Sequence, residues 1–252
     1  MNLPDKNTRR YFLHSATALG AGLVVHGCGS KGTMEEKSGK QARSDKAGGP
    51  KGIEVTAVED LMREHGILRR ALFIYTEAAV RLRSKPSAVV PDTLQKTAEL
   101  FRAFGEDYHE RKLEEAHIFP AVRNAGGPAA AYVDVLIMQH QRGREITDYI
   151  LAETRAARLE AAGTQNLARA LESLVRMYRP HAAREDTSIF PAWKQTLSAA
   201  QLDEMGDKFE DIEREQFGQD GFENAVRQVA EIEVSLKLAD LTQFTAPPPP
   251  VR

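Results

Sequence analysis

Four histidines and two glutamates recur in matched order along this chain, and imidazole with carboxylate is a donor set for divalent metal ions. The first copy reads Glu64-His65, then Tyr108-His109, then Glu114-Glu115-Ala116-His117-Ile118-Phe119-Pro120. The second reads Gln139-His140, then Pro180-His181, then Glu185-Asp186-Thr187-Ser188-Ile189-Phe190-Pro191. In each copy a glutamate, Glu114 or Glu185, stands six residues before the proline. His65 precedes His109 by 44 residues and His140 precedes His181 by 41, an interval of one helix hairpin in both cases. The single cysteine, Cys28, lies far from these residues. The body of the protein therefore has no thiolate to offer a metal, and no intramolecular disulfide can form.

On an α-helix a histidine and a glutamate four residues apart sit about 40° apart around the axis, so both reach one point. His181 and Glu185 have that spacing. His109 and Glu114 are five apart, roughly 140° on an ideal helix. Either a local π-bulge realigns them, or Glu110 contributes instead. Counting back from the two prolines aligns Glu114 with Glu185 and favours the bulge. Two imidazole-rich faces bridged by two carboxylates can hold two divalent metals, with the carboxylates offsetting the metal charge in a low-dielectric core. Iron, manganese and zinc all suit these donors. His117 breaks the symmetry, because its counterpart is Ser188. Glu114-x-x-His117 has a ferritin-like spacing, but Glu185-x-x-Ser188 supplies no second copy of it.

Long helices must position these residues. From Val55 onward the apolar residues follow a helical period and strand signals are absent. The pattern predicts helices over Val55 to Arg83, Asp92 to Ile118, Ala129 to Ala161 and Gln165 to Phe190. Pro120, the Gly126-Gly127-Pro128 run, Gly163 and Pro191 mark the breaks. Short connections between long helices imply antiparallel neighbours in a bundle. Two more helices follow, Ser198 to Gln216 with Ser198 and Gln201 as a capping box, and Phe222 to Leu238. Trp193 is expected to pack the bundle end, Tyr108 to serve core packing, and the charged stretch from Asp203 to Glu215 to be a solvated face.

The beginning of the chain reads as an address. Arg9-Arg10 with Phe12 and Leu13 precedes a short apolar run, Ala16 to Val25, and resembles a twin-arginine export signal. Val25-His26-Gly27-Cys28 resembles a lipoprotein box, with Cys28 as the lipid-bearing residue. The expected organisation is a signal at 1–28, a flexible linker at 29–52, the bundle at 53–195, a helical extension at 196–240 and a disordered proline-rich tail at 241–252. The linker is rich in Gly, Ser and Lys and cannot bury enough apolar surface to offset its ordering entropy. An exported protein of periplasm or envelope follows, touching membrane only through a lipid on Cys28. A net charge of -2 argues against a nucleic-acid partner, whose binders usually present a basic face.

At His65, Asp107-Tyr108-His109-Glu110, Ile118-Phe119-Pro120, His140 and His181-x-x-x-Glu185, the chain resembles the hemerythrin-like, or HHE cation-binding, family over roughly residues 55 to 195. The resemblance implies an all-α, up-down-up-down four-helix bundle of hemerythrin type, here with additional C-terminal helices. It implies a non-haem di-iron centre, bridged by Glu114 and Glu185, with His65, His109, His140 and His181 as terminal ligands. Oxygen-carrying members place a second histidine one turn from the third-helix histidine. Here those positions hold Leu136 and Arg144. That leaves one ligand position vacant or filled by a carboxylate, with Glu110 and Glu145 as candidates, and argues against simple reversible oxygen carriage. The implied function is binding, sensing or scavenging of oxygen, nitric oxide or iron at two iron ions, with zinc or manganese as alternative metals. The alternatives are a di-iron oxidase or peroxidase acting on oxygen or peroxide, and a bundle whose metal is purely structural.

Overall fold

Apolar residues at helical spacing make the described residues helical, with capping boxes starting two of the helices. The structure is a computed structural model and describes residues 55–159 and 163–250. The expected signal at 1–28, Cys28 and the linker at 29–52 lie outside the described residues. Helix α1 is Ala57–Ser84. Thr56 caps it: its hydroxyl accepts from the Glu59 amide while the Glu59 side chain accepts from the Thr56 amide. Leu61, Leu68, Leu72, Tyr75, Ala79 and Leu82 form its buried stripe.

The second rod is one unbroken helix of three parts: α2 (Pro91–Leu100), a π-helical segment π1 (Phe101–Ile118) and α3 (Phe119–Ala125). A short helix α4 (Gly127–Ala130) leads into α5 (Val133–Thr154). The fourth rod is α6 (Thr164–Arg184), a second π segment π2 (Glu185–Ile189) and α7 (Phe190–Gln195). Helix α1 packs chiefly on α6, and α5 on α2, π1 and α6, which closes the four-helix bundle. Helices α8 (Ala199–Phe217) and α9 (Gly221–Ser235) then lie across the first two rods. The expected capping box of Ser198 and Gln201 is present. Among the described residues there is no strand, and no helix is long and apolar enough to cross a membrane.

Four boundaries differ from expectation. Pro120 and Pro191 do not end their helices. Each is preceded by a wide turn in which the Phe119 or Phe190 amide donates to the carbonyl of Glu114 or Glu185, five residues back. The wide turn keeps the proline ring off the carbonyl one turn earlier, and the missing N–H falls where the bonding pattern is already interrupted. The third rod ends at Thr154 rather than Ala161. There the Thr154 hydroxyl donates to the Ile150 carbonyl at 2.7 Å, competing with further helical turns. Helix α9 stops at Ser235, before Lys237 in the left-handed region at φ 60°.

The core forms two apolar clusters. One holds Leu61, Phe104, Tyr108, Leu136, Ile189 and Trp193; the other holds Leu72, Tyr75, Phe101, Ile150, Leu171 and Tyr178. Along α5, and from α6 into π2, the histidine falls where the chain passes from one cluster to the other. Trp193 stacks on Phe209 at 5.7 Å, joining the bundle end to the extension. The stretch from Asp203 to Glu215 is mostly exposed, but Glu210 and Glu213 are buried. A Glu213 carboxylate oxygen accepts from the Phe222 amide at 2.6 Å and so caps the turn into α9.

Candidate metal centre

Each rod contributes one histidine, and all four are buried. Helix α1 supplies His65, π1 supplies His109 and Glu114, α5 supplies His140, α6 supplies His181 and π2 supplies Glu185. Two groups form. In His65, His109 and Glu114, one ligand atom from each residue lies within 4.8 Å of the others, and the same holds for His140, His181 and Glu185. The Nε2 atoms turn inward: His109 Nε2 is 3.4 Å from Glu114, and His181 Nε2 is 3.0 Å from Glu185. The carboxylates also reach across the halves. His65 Nε2 is 3.6 Å from Glu185, and His140 Nε2 is 3.4 Å from Glu114; within the second half, His140 Nε2 is 3.7 Å from Glu185.

The Nδ1 atoms turn outward, each to an acceptor. His65 Nδ1 meets Asp186 at 2.7 Å and His109 Nδ1 meets Glu64 at 2.5 Å. His140 Nδ1 meets Glu115 at 2.9 Å and His181 Nδ1 meets the Gln139 side-chain oxygen at 2.8 Å. These acceptors place the proton on Nδ1, so each Nε2 presents a lone pair to the interior. The Nε2 atoms of His140 and His181 lie only 3.0 Å apart. Two facing lone pairs at that distance require a positive charge between them. His109 Nε2 and both oxygens of Glu114 and Glu185 are buried with no hydrogen-bond partner. Buried polar atoms of this kind are costly unless paired, and a cation pairs all of them at once. The residues therefore fit a two-metal centre.

The electrostatics agree. Burial and the facing Glu185 raise the Glu114 carboxyl above its ordinary range. Against the pull of burial, His181, His140 and His65 hold Glu185 well below it. Burial disfavours imidazolium at His109 and His140, but the surrounding carboxylates outweigh it and push both well up. Without a metal, protons on the imidazoles take over part of the cation's work.

All six residues of the two repeats come together, and π1 accounts for the odd spacing of His109 and Glu114. The second copy also holds a π segment, but it starts at Glu185, so His181 and Glu185 keep α spacing. Glu110 lies on the outer side of His140, 3.9 Å from its Nδ1. One Glu110 oxygen accepts from the Tyr178 hydroxyl at 2.6 Å, and the other is 3.5 Å from the Arg144 guanidinium. Glu110, Glu115 and His140 form a third group of potential ligands, but Arg144 already bonds Glu115 there. Glu145 faces solvent, paired with Arg142 at 2.6 Å. His117 is half-buried against the Phe209 ring, outside every group.

Sequence reading missed the supporting residues. Glu64-His65-x3-Arg69 repeats as Gln139-His140-x3-Arg144, and Glu114-Glu115 repeats as Glu185-Asp186. The residue before the first histidine of each hairpin holds the second histidine of the same hairpin. The acid after each inward glutamate holds a histidine of the other hairpin. The arginine four residues on from that histidine, Arg69 or Arg144, bonds the same acid. Arg144, at the position of the absent fifth histidine, is thus the counterpart of Arg69. Reading the two copies side by side beyond the histidines finds this pattern. Tyr108, expected as core, also donates its hydroxyl to Glu64 at 3.0 Å. Gly143 has no signal in the sequence; a Cβ there would overlap the Tyr178 hydroxyl.

Fold and donors together define a helical-bundle metal-binding protein. The chain belongs to the hemerythrin family: the Hemerythrin HHE cation binding domain matches residues 56–193. It is 45% identical over 194 residues to uncharacterized proteins of Mycobacterium tuberculosis and Mycobacterium bovis, covering 77% of this chain and 75% of theirs. No solved structure matches.

Proposed function

We propose that this protein holds two iron ions at the His/Glu centre and uses them to bind oxygen, nitric oxide or peroxide, as a scavenger, sensor or store. The observation that carries the reading is the set of inward, buried and unpartnered donors: His109 Nε2 and both oxygens of Glu114 and Glu185. Iron bound there would supply a reversible redox couple and open positions for a small ligand. The chain's own residues orient and dry the site. Glu64, Glu115, Gln139 and Asp186 fix the four imidazole rings. Phe119 stacks on His140 at 5.4 Å and Phe190 lies 5.3 Å from His65, so the Ile-Phe-Pro repeats shield the centre from water. Metal analysis of protein isolated from its native cells, with an optical spectrum, tests this. Two irons per chain, and a spectral change when the reduced protein meets oxygen or nitric oxide, support it. A zinc-filled centre that answers to neither ligand overturns it in favour of a structural metal.

One feature favours a second reading, turnover of peroxide or oxygen. Tyr178 holds a proton in its bond to Glu110, beside His140 and His181. Catalytic loss of peroxide that depends on both Glu114 and Glu185 supports turnover, and stoichiometric uptake alone excludes it. The proposed location is the cell envelope, on the Arg9-Arg10 pattern and Cys28. Mass spectrometry of the mature N-terminus checks this: an acylated Cys28 supports anchoring, and an intact Met1 in purified envelope-free protein removes it.

A further inference from the structure

A cleft of about 590 Å³ opens between α2 and α9. Its floor is apolar, with Leu100, Phe104 and Ile232 buried beneath and Ala103 and Phe217 alongside. Its rim carries three carboxylates, Asp92, Glu99 and Glu231, against one ammonium, Lys96. Lys96 is already held by Asp92 at 2.7 Å. Its pKa is raised chiefly by that bond and the Asp92 charge, with smaller contributions from Glu231 and Glu99, and Glu99 also accepts from the Gln95 side-chain amide at 2.9 Å. The side-chain amides of Asn224 and Gln228 complete the wall.

A concave space of this size with an apolar floor and a few polar groups suits a small organic ligand. We infer that the cleft binds a small organic amine, its ammonium at Glu99 and Glu231 and its apolar body against Ala103 and Phe217, the half-exposed apolar residues of the lining. The rim repels an organic acid, and a neutral molecule of the same shape gains the apolar contact alone. The floor reaches towards the metal centre: the Phe104 ring lies 5.5 Å from Tyr108, whose hydroxyl bonds Glu64, the partner of His109. The inference stands apart from the iron reading and survives its failure.

The full-length, metal-loaded protein is titrated with 2-phenylethylamine, 2-phenylethanol and phenylacetate at low ionic strength, with backbone amide NMR shifts as the readout. The amine is expected to bind about fivefold to tenfold tighter than the alcohol, the value of two partly exposed charge pairs, and the acid not at all. Shifts should centre on Phe217, Gln228 and Ile232. The Glu99→Gln/Glu231→Gln double variant, altered only at exposed side chains, should bind amine and alcohol alike. Equal affinity of amine and alcohol for the natural protein overturns the inference, as does the absence of shifts at the cleft.

Discussion

The two halves of the centre do the same job with different means. In the first half, both imidazoles rest on carboxylates: His65 on Asp186 and His109 on Glu64. In the second, His140 rests on Glu115, but His181 rests on the neutral amide of Gln139. Three residues before the paired histidine, the first half has Glu106 and the second has Tyr178. The first half spaces His109 and Glu114 by a π turn, the second spaces His181 and Glu185 by an α turn. What the repeat keeps is the position of the inward atoms. What it lets vary is the charge behind them, and outer partners tune how basic a metal-bound imidazole is. The first position should therefore hold its metal more tightly than the second.

The largest effect comes from removing the residues common to both halves. Glu114→Ala or Glu185→Ala should lower metal content from two ions per chain to one or none, because each carboxylate faces imidazoles of both halves. Elemental analysis of purified variants reads this, and full occupancy in either variant would show that the halves are independent.

Next is the pH effect of one carboxyl in the first half. Burial, then the charge of Glu110, raises the Glu106 carboxyl to about 7 from an ordinary value of 4.5. The protonated form is the one the fold favours. Its contribution is complete below about 4.5 and is lost as pH rises through 7, about 3 kcal/mol in total. Urea unfolding of the metal-free protein between pH 4.5 and 8.5 should show this decline on top of that from His109, His140 and Glu114, and Glu106→Gln should make the slope shallower between pH 4.5 and 7. An unchanged slope in Glu106→Gln would assign the decline to other groups.

Exchanging the outer partners should erase the difference between halves. Glu64→Gln should weaken the tighter position by about 10–100-fold, and Gln139→Glu should strengthen the weaker one. Competition with a chelator resolves the two release steps. If Gln139→Glu leaves the weaker step unmoved, charge behind the imidazole is not what separates the halves.

The smallest effects concern two glycines, each close after a histidine. Gly143→Ala forces the Tyr178 hydroxyl away from Glu110 and should cost about 1–2 kcal/mol. Gly66 has open space around it in α1, so Gly66→Ala should stabilise by about 0.5–1 kcal/mol. Thermal melts of the two variants should move in opposite directions.

The sequence made the bundle legible because apolar periodicity and two Ile-Phe-Pro marks are local signals. The inward residues were legible because they are rare types at repeated spacing. The continuation of the rods through Pro120 and Pro191 was not, since proline reads as a stop unless the wide turn before it is known. The supporting residues were hidden for a different reason. Glu, Asp, Gln and Arg are common on any helix surface. Only their distances separate Asp186, half-buried against His65, from Glu145, which faces water. Tyr178 reads as one more apolar-face aromatic until its hydroxyl is found on Glu110.

The crossed bracing, in which Asp186 holds His65 and Glu115 holds His140, bears on how the molecule assembles. Neither helix hairpin carries a complete site, because each lends the acid that steadies a histidine of the other. Each hairpin holds three ligands of its own, but capture by fully braced imidazoles would follow docking of the hairpins. An ion bound across both groups would act as a rivet through the joint, and its loss would loosen the seam between hairpins before it disturbed either one.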